Sequence, residues 1–135
     1  MPSDLPEIEV VGIDPDPLHA IAYLSTPTVP FEDRDVADLL FAARHWNAIY
    51  EITGKLVVLE EGDRVVRFLQ WIEGPAPALD ACFERIRADT RHDDIEVRFR
   101  GAVEARRFPA WDMAIDTATP ATFDTEADAL APDRD

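Results

Sequence analysis

Gln70 is the polar residue in this sequence that most needs an explanation. It sits in an apolar run over residues 64–72, and alternation places it on the same side as Phe68 and Ile72. A carboxamide buried there must find partners for its acceptor and its donors, because leaving one unpaired costs about 1–3 kcal/mol. Tyr23 offers a phenol on another apolar run, although a strand tyrosine taken alone reads as core packing. Asn47 lies near a helix end, where asparagine either terminates the helix or presents its amide to something else. Arg85 and Ile86 belong to the last turns of a second helix, and Arg91 and His92 to its exit, ordinarily a solvated place. Trp111 and Met113 are two apart on an expected strand and so share a face, as core residues commonly do.

Other chemistries lack their residues. His19, His45 and His92 show no ligand spacing, and Cys82 is the one cysteine, so neither a metal site nor an intrachain disulfide is expected. Gly54-Lys55 resembles the end of a phosphate loop but has no glycine five residues earlier, and no GxGxxG occurs. Cys82 on a helix reads as a small buried hydrophobe.

The elements that position these residues follow from periodicity. Residues 18–25 read as a first strand, stopped at Thr26-Pro27. Pro30 and the acidic pair Glu32-Asp33 open a helix whose buried face is Val36, Leu39, Leu40 and Ala43, ending near Tyr50. Residues 55–60 and 64–72 flank Glu61-Gly62-Asp63 as a hairpin. A second helix spans about 77–89 with Leu79, Cys82, Phe83 and Ile86 inward, followed by strands at 95–100 and near 110–115. The order β-α-β-β-α-β-β, with right-handed crossovers, predicts an α+β fold: a ferredoxin-like mixed sheet with both helices on one face. Leu24, Leu69 and Trp71 have the parity of the other face, which a homodimer through that helix-free surface or a docked tail would hide.

Charge is concentrated at the ends. Residues 1–17 carry five acids and no base, and residues 116–135 six acids and one base, so these segments hold most of the net −15. Both also contain prolines and read as loosely docked extensions around a domain at 18–115. No basic footprint suggests nucleic-acid binding, and no long apolar run or secretory signal suggests a membrane or export, so the cytoplasm is the expected compartment.

Taken in order, Tyr23-Leu24-Ser25, Asn47 with Ile52-Thr53-Gly54, residues 68–74 (FLQWIEG), residues 85–92 (RIRADTRH) and residues 107–113 (RFPAWDM) resemble the BLUF family of blue-light sensors. The resemblance covers about residues 18–115. It implies a photoreceptor and not an enzyme, holding FAD, or FMN or riboflavin, between the two helices. Leu39 and Ile86 would sandwich the isoalloxazine, Asn47 and Arg85 would meet its polar edge, and Arg91 and His92 would lie toward the ribityl–phosphate end. The family's photochemistry would rest on Tyr23 and Gln70, with Trp111 and Met113 relaying the change. A glutamine suits such a relay because its amide has a donor end and an acceptor end. The expected output is a change in assembly, as a homodimer or higher oligomer, or in binding a separate protein effector.

Two features bear on the resemblance. The hairpin over residues 60–67 is longer than the family's usual version, and a one-residue register shift would turn Gln70 away from the helices. Glu51 brings a carboxylate close to the Ile52-Thr53-Gly54 turn. Alternative readings are a flavin-free interaction module of the same fold and, from the shared element order, an acylphosphatase-like enzyme. The loop Ser25-Thr26-Pro27-Thr28-Val29-Pro30 lacks the glycine and arginine that the last would need.

Overall fold

Alternating apolar residues and two amphipathic helical stretches produce the expected element order. The computed structural model describes residues 17–110 and 113–130. Within them run β1 (Leu18–Pro27), α1 (Asp33–Tyr50), β2 (Thr53–Glu61), β3 (Arg64–Pro75), α2 (Ala76–Ala88), β4 (His92–Ala102), β5 (Ala114–Ala118) and α3 (Pro120–Leu130). The sheet order is β4-β1-β3-β2-β5. Neighbours are antiparallel except β2 and β5, which run parallel, so the sheet is mixed. The ferredoxin-like arrangement is therefore present, with β5 added beside β2.

Helices α1 and α2 cover one face. Val36, Leu40, Leu79 and Phe83 bury against Ile21, Leu56, Phe68 and Ile72 from the strands. The entry to α1 is fixed by the Asp35 carboxylate, which accepts from the Glu32 backbone N–H at 3.0 Å. At its far end Glu51 adopts a left-handed conformation (φ 61°) and returns its N–H to the Asn47 carbonyl. Asn47 thus lies inside the last turn, three residues before the helix stops, and is not its terminator. The side chain of Glu51 is exposed.

The long hairpin keeps Gln70 on the helix side. Its tip is the turn at Gly62-Asp63, where Gly62 takes φ 67°. A β-bulge then sets Leu59 opposite Arg67 but Glu60 opposite Val65, so β3 holds one extra residue. Val65 and Phe68 consequently both reach the helix-side core despite their odd spacing. Beyond the bulge, alternation resumes with Phe68, Gln70 and Ile72 inward. The extra length is absorbed at the tip, and the register at the site is untouched.

Two expectations need correction. The last strand is not at 110–115 but at Ala114–Ala118, because the chain before it is tied elsewhere. Residues 106–108 are held by the buried Glu73 and by Thr53, and pairing with β2 begins only at Ala114. The chain after 116 is also not simply a loose tail. It finishes β5 and then forms α3, which starts on Pro120 with the Thr119 N–H capped by the Thr122 hydroxyl at 3.1 Å. Phe123 and Ala127, one turn apart, pack on Leu24, Leu69 and Trp71. The chain's own helix thus packs on the second sheet face over β2 and β5, so that face is not helix-free.

On the same sheet face, under the β4–β5 connection, lies Glu73, fully buried. One carboxylate oxygen accepts from Trp71 Nε1 and the Arg107 N–H, the other from the Thr53 hydroxyl and the Phe108 N–H, each at 2.8 Å. Four donors converge on it, which is how a buried carboxyl is tolerated in a sheet core. Trp71 in turn stacks on Phe99 and lies under the Arg107 guanidinium. Among the described residues no helix is long and apolar enough to cross a membrane.

Candidate functional site

Tyr23 and Gln70 face one another because β1 and β3 pair in that register. Both side chains point to the helix side, and the Tyr23 hydroxyl donates to Gln70 Oε1. Burial pushes the phenol's pKa far above its ordinary value, and nearby Cys82 and Asp89 act in the same direction. Tyr23 is therefore a protonated donor in the resting protein. The other end of the Gln70 amide, Nε2, donates to the Met113 sulfur at 3.4 Å. A thioether is a weak acceptor, so this end of a buried amide is only lightly committed.

Around this pair opens a cleft between α1 and α2. Its walls are Leu39, Leu40 and Ala43 on α1 and Ile86 on α2; Tyr23, Phe68, Gln70 and Met113 form the floor. Asp89, Arg91 and His92 stand at the cleft's edge, beyond the end of α2. The Arg91 guanidinium grips Asp89 through Nε at 2.9 and 3.1 Å and Nη2 at 2.5 Å. That bond holds the Asp89 carboxyl below the usual carboxylate range against a smaller opposing effect of burial. His92 is pinned on both ring nitrogens. Nε2 lies 2.7 Å from the Ile86 carbonyl, which only accepts, so this nitrogen carries a proton; Nδ1 lies 2.7 Å from the Ser25 hydroxyl.

The expected site residues divide into two groups. Leu39, Ile86, Arg91, His92, Tyr23, Gln70 and Met113 meet around this one cleft. Asn47 and Arg85 instead line an adjoining hollow between the same helices, with Trp46, Tyr50 and Cys82. There Asn47 is buried, and the Arg85 guanidinium lies over the Trp46 ring at 4.3 Å. Burial raises the Cys82 thiol pKa, with Arg85 opposing, so the thiol is the resting form. Trp111 lies outside the described residues. Met113 is buried in a bend one residue before β5 and not within the strand, so its burial follows from the approach to β5.

Two contributors were not singled out from sequence. Asp89 had a signal, since it precedes a basic pair at a helix exit. Arg44 had none: it is an exposed cation on α1, yet its Nε and Nη2 both donate to the Met113 carbonyl, at 3.0 and 2.8 Å. Among the described residues no cluster of His, Cys, Asp or Glu is placed to hold a metal ion.

The cleft suits a flat conjugated ring with a polar edge. Aliphatic walls on two helices face each other, a protonated phenol and an amide lie below, and the Arg91–Asp89 ion pair stands at the mouth. The donor set matches a flavin, whose ring carbonyls and nitrogens accept hydrogen bonds where the Gln70 amide now meets only sulfur.

Comparison with known proteins points the same way. A family model described as BLUF, sensors of blue-light using FAD, matches residues 18–114. The solved dark-state structure of BlrB, a BLUF protein, superposes with a TM-score of 0.70 at 35% identity, covering 87% of this chain and 80% of that one. Klebsiella pneumoniae BlrP1, solved with FMN and cyclic diGMP, aligns at 30% identity with a TM-score of 0.63, over 74% of this chain and 26% of that one. The photoactivated adenylate cyclase subunit beta of Euglena longa is 30% identical over 116 residues, which are 84% of this chain and 13% of that protein.

Proposed function

The chain belongs to the BLUF family of flavin-binding blue-light sensors, and from that premise we propose that its signal originates in the Tyr23–Gln70 hydrogen bond. A bound flavin supplies absorption of blue light and an electron acceptor. The chain's own part is carried by two side chains. Tyr23 gives up an electron and passes its hydroxyl proton to the Gln70 oxygen it already touches. The Gln70 amide then turns or tautomerises, so that its donor and acceptor ends are exchanged when electron and proton return. Nothing is consumed, and the ring emerges unmodified in a different hydrogen-bond network.

Leu39 and Ile86 would hold the ring between the helices, Asn47 and Arg85 would meet its polar edge, and Arg91 and His92 would stand toward the phosphate end. These roles rest on the cleft between α1 and α2 and on the hollow beside it. FAD is the family's flavin, with FMN or riboflavin able to present the same ring. Met113, in contact with Gln70 Nε2, would be first to register the altered amide, with Trp111 in the same segment.

Output would pass to a separate protein effector or through a homodimer or higher oligomer in the cytoplasm. The exposed Phe41 and Ile49, two turns apart on α1, support an association surface. Cyclase activity belongs to the relatives whose names carry it.

The observation that carries the reading is the buried phenol–amide pair at the base of a two-helix cleft. Absorbance of the purified, flavin-loaded protein before and after blue light tests it. A reversible red shift of the flavin band is expected. A protein that takes up no flavin, or whose bound flavin never shifts, would overturn the reading and favour an interaction module.

A further inference from the structure

Met113 stands at the entrance to β5. The β2–β5 ladder begins with Lys55 opposite Ala114, one residue later, and Met113 itself lies in a bend. Yet its side chain is among the most buried in the molecule and its sulfur is the acceptor for Gln70 Nε2. Arg44 reaches it from α1 with two nitrogens on the Met113 carbonyl. Two charge-assisted hydrogen bonds on a single oxygen fix that carbonyl in direction as well as distance.

We infer that Arg44 is a positioning residue of the light response: its fork on the Met113 carbonyl seats the thioether against the Gln70 amide and sets how readily Met113 withdraws when that amide reverses. The inference rests on the light-sensing reading above. In the resting arrangement an amide N–H faces sulfur. After reversal an oxygen would face it, and two electron-rich atoms would meet where a weak hydrogen bond had been. The sulfur must then withdraw, pulling on a carbonyl that Arg44 restrains. Conversely, the return to darkness requires the thioether to be seated again, and the same fork guides it. The signal thus leaves the site against a tether from the helix that also forms one wall of the cleft.

The test is Arg44→Ala and Arg44→Lys in the full chain, with the Met113 methyl group labelled for NMR and the flavin band followed after a blue flash. In Arg44→Ala the dark Met113 resonance should move or broaden. Flavin uptake and the size of the red shift should match the parent, and dark recovery should slow by about fivefold, the loss of one ordinary net hydrogen bond, as suits an exposed arginine. Arg44→Lys, with a single donor point, should recover part of both effects. A Met113 resonance and recovery rate in Arg44→Ala equal to the parent's would overturn the inference. So would a lowered melting temperature as the only change, since that is what a merely structural surface arginine would give. The methyl resonance is readable in the dark and without flavin, so failure of the light-sensing reading would leave this half of the test intact.

Discussion

Gln70 and Glu73 are both buried polar side chains on β3, three residues apart and on opposite faces of the sheet, and they are treated in opposite ways. Glu73 receives four donors at 2.8 Å, two of them backbone N–H groups of the β4–β5 connection. Gln70 receives one phenol and spends its amide hydrogens on a thioether at 3.4 Å. A fully paired buried group has no cheaper arrangement to move to and so fixes its surroundings. An amide that faces a cleft, with a phenol at one end and a thioether at the other, has a second orientation in which its donor and acceptor are exchanged, which is the property a switch needs. The face closed by the β4–β5 connection is thus built to stay and the face under α1 and α2 is built to change, along a single strand.

Substitution sharpens this contrast. Glu73→Ala should be the most damaging change, costing about 4 kcal/mol or more because several buried donors lose their acceptor together. Glu73→Gln should cost about half as much, since its NH₂ group would confront donors. Urea unfolding midpoints measure both, and a loss below ~1 kcal/mol for Glu73→Ala would erase the distinction between the two faces. Gln70→Leu should be milder. Its cost should stay at about 1–3 kcal/mol, that of leaving the buried Tyr23 hydroxyl without its acceptor, below that of Glu73→Ala. Its photoresponse should nevertheless vanish.

Much of this was legible in the sequence, for reasons that particular residues make plain. Alternation along Phe68, Gln70 and Ile72 and the 3.6-residue spacing of Val36, Leu39, Leu40 and Ala43 assigned both the elements and their inward faces. The hairpin's extra residue was visible as length but not as geometry, because where a bulge falls depends on how both cores pack around Val65 and Val66. Glu73 is likewise a polar group in an apolar strand, and two of its four partners come from a connection that no local pattern announces. Helix α3 was hidden by a composition of proline, threonine and acids. Its signals were only Pro120 at the first position and the Phe123–Ala127 spacing. Arg44 left no trace at all, since an exposed helical arginine looks the same whether it meets solvent or a carbonyl 69 residues away.

The smallest predicted effect is at the cleft's edge. Arg91 holds the Asp89 carboxyl below its ordinary value of 3.8. A depressed carboxyl contributes stability that is fully present above the ordinary value and is lost as pH falls through the depressed one. Asp89→Asn should therefore differ from the parent at neutral pH and converge with it in acid. The gap should stay under about 1 kcal/mol, because the pair is partly exposed and solvent screens it. Paired melting curves across that range would show it, and a gap that widened in acid would have the wrong sign.

The sharpest single test is infrared difference spectroscopy of the flavin-loaded protein, lit minus dark, on the parent and on Gln70→Leu. In the parent, illumination should lower the stretching frequency of a flavin ring carbonyl, as a newly presented donor from residue 70 strengthens the bond to it. In Gln70→Leu that band should stay where it is. An undiminished downshift in Gln70→Leu would mean that the donor comes from somewhere else, and that the amide on β3 is not the switch.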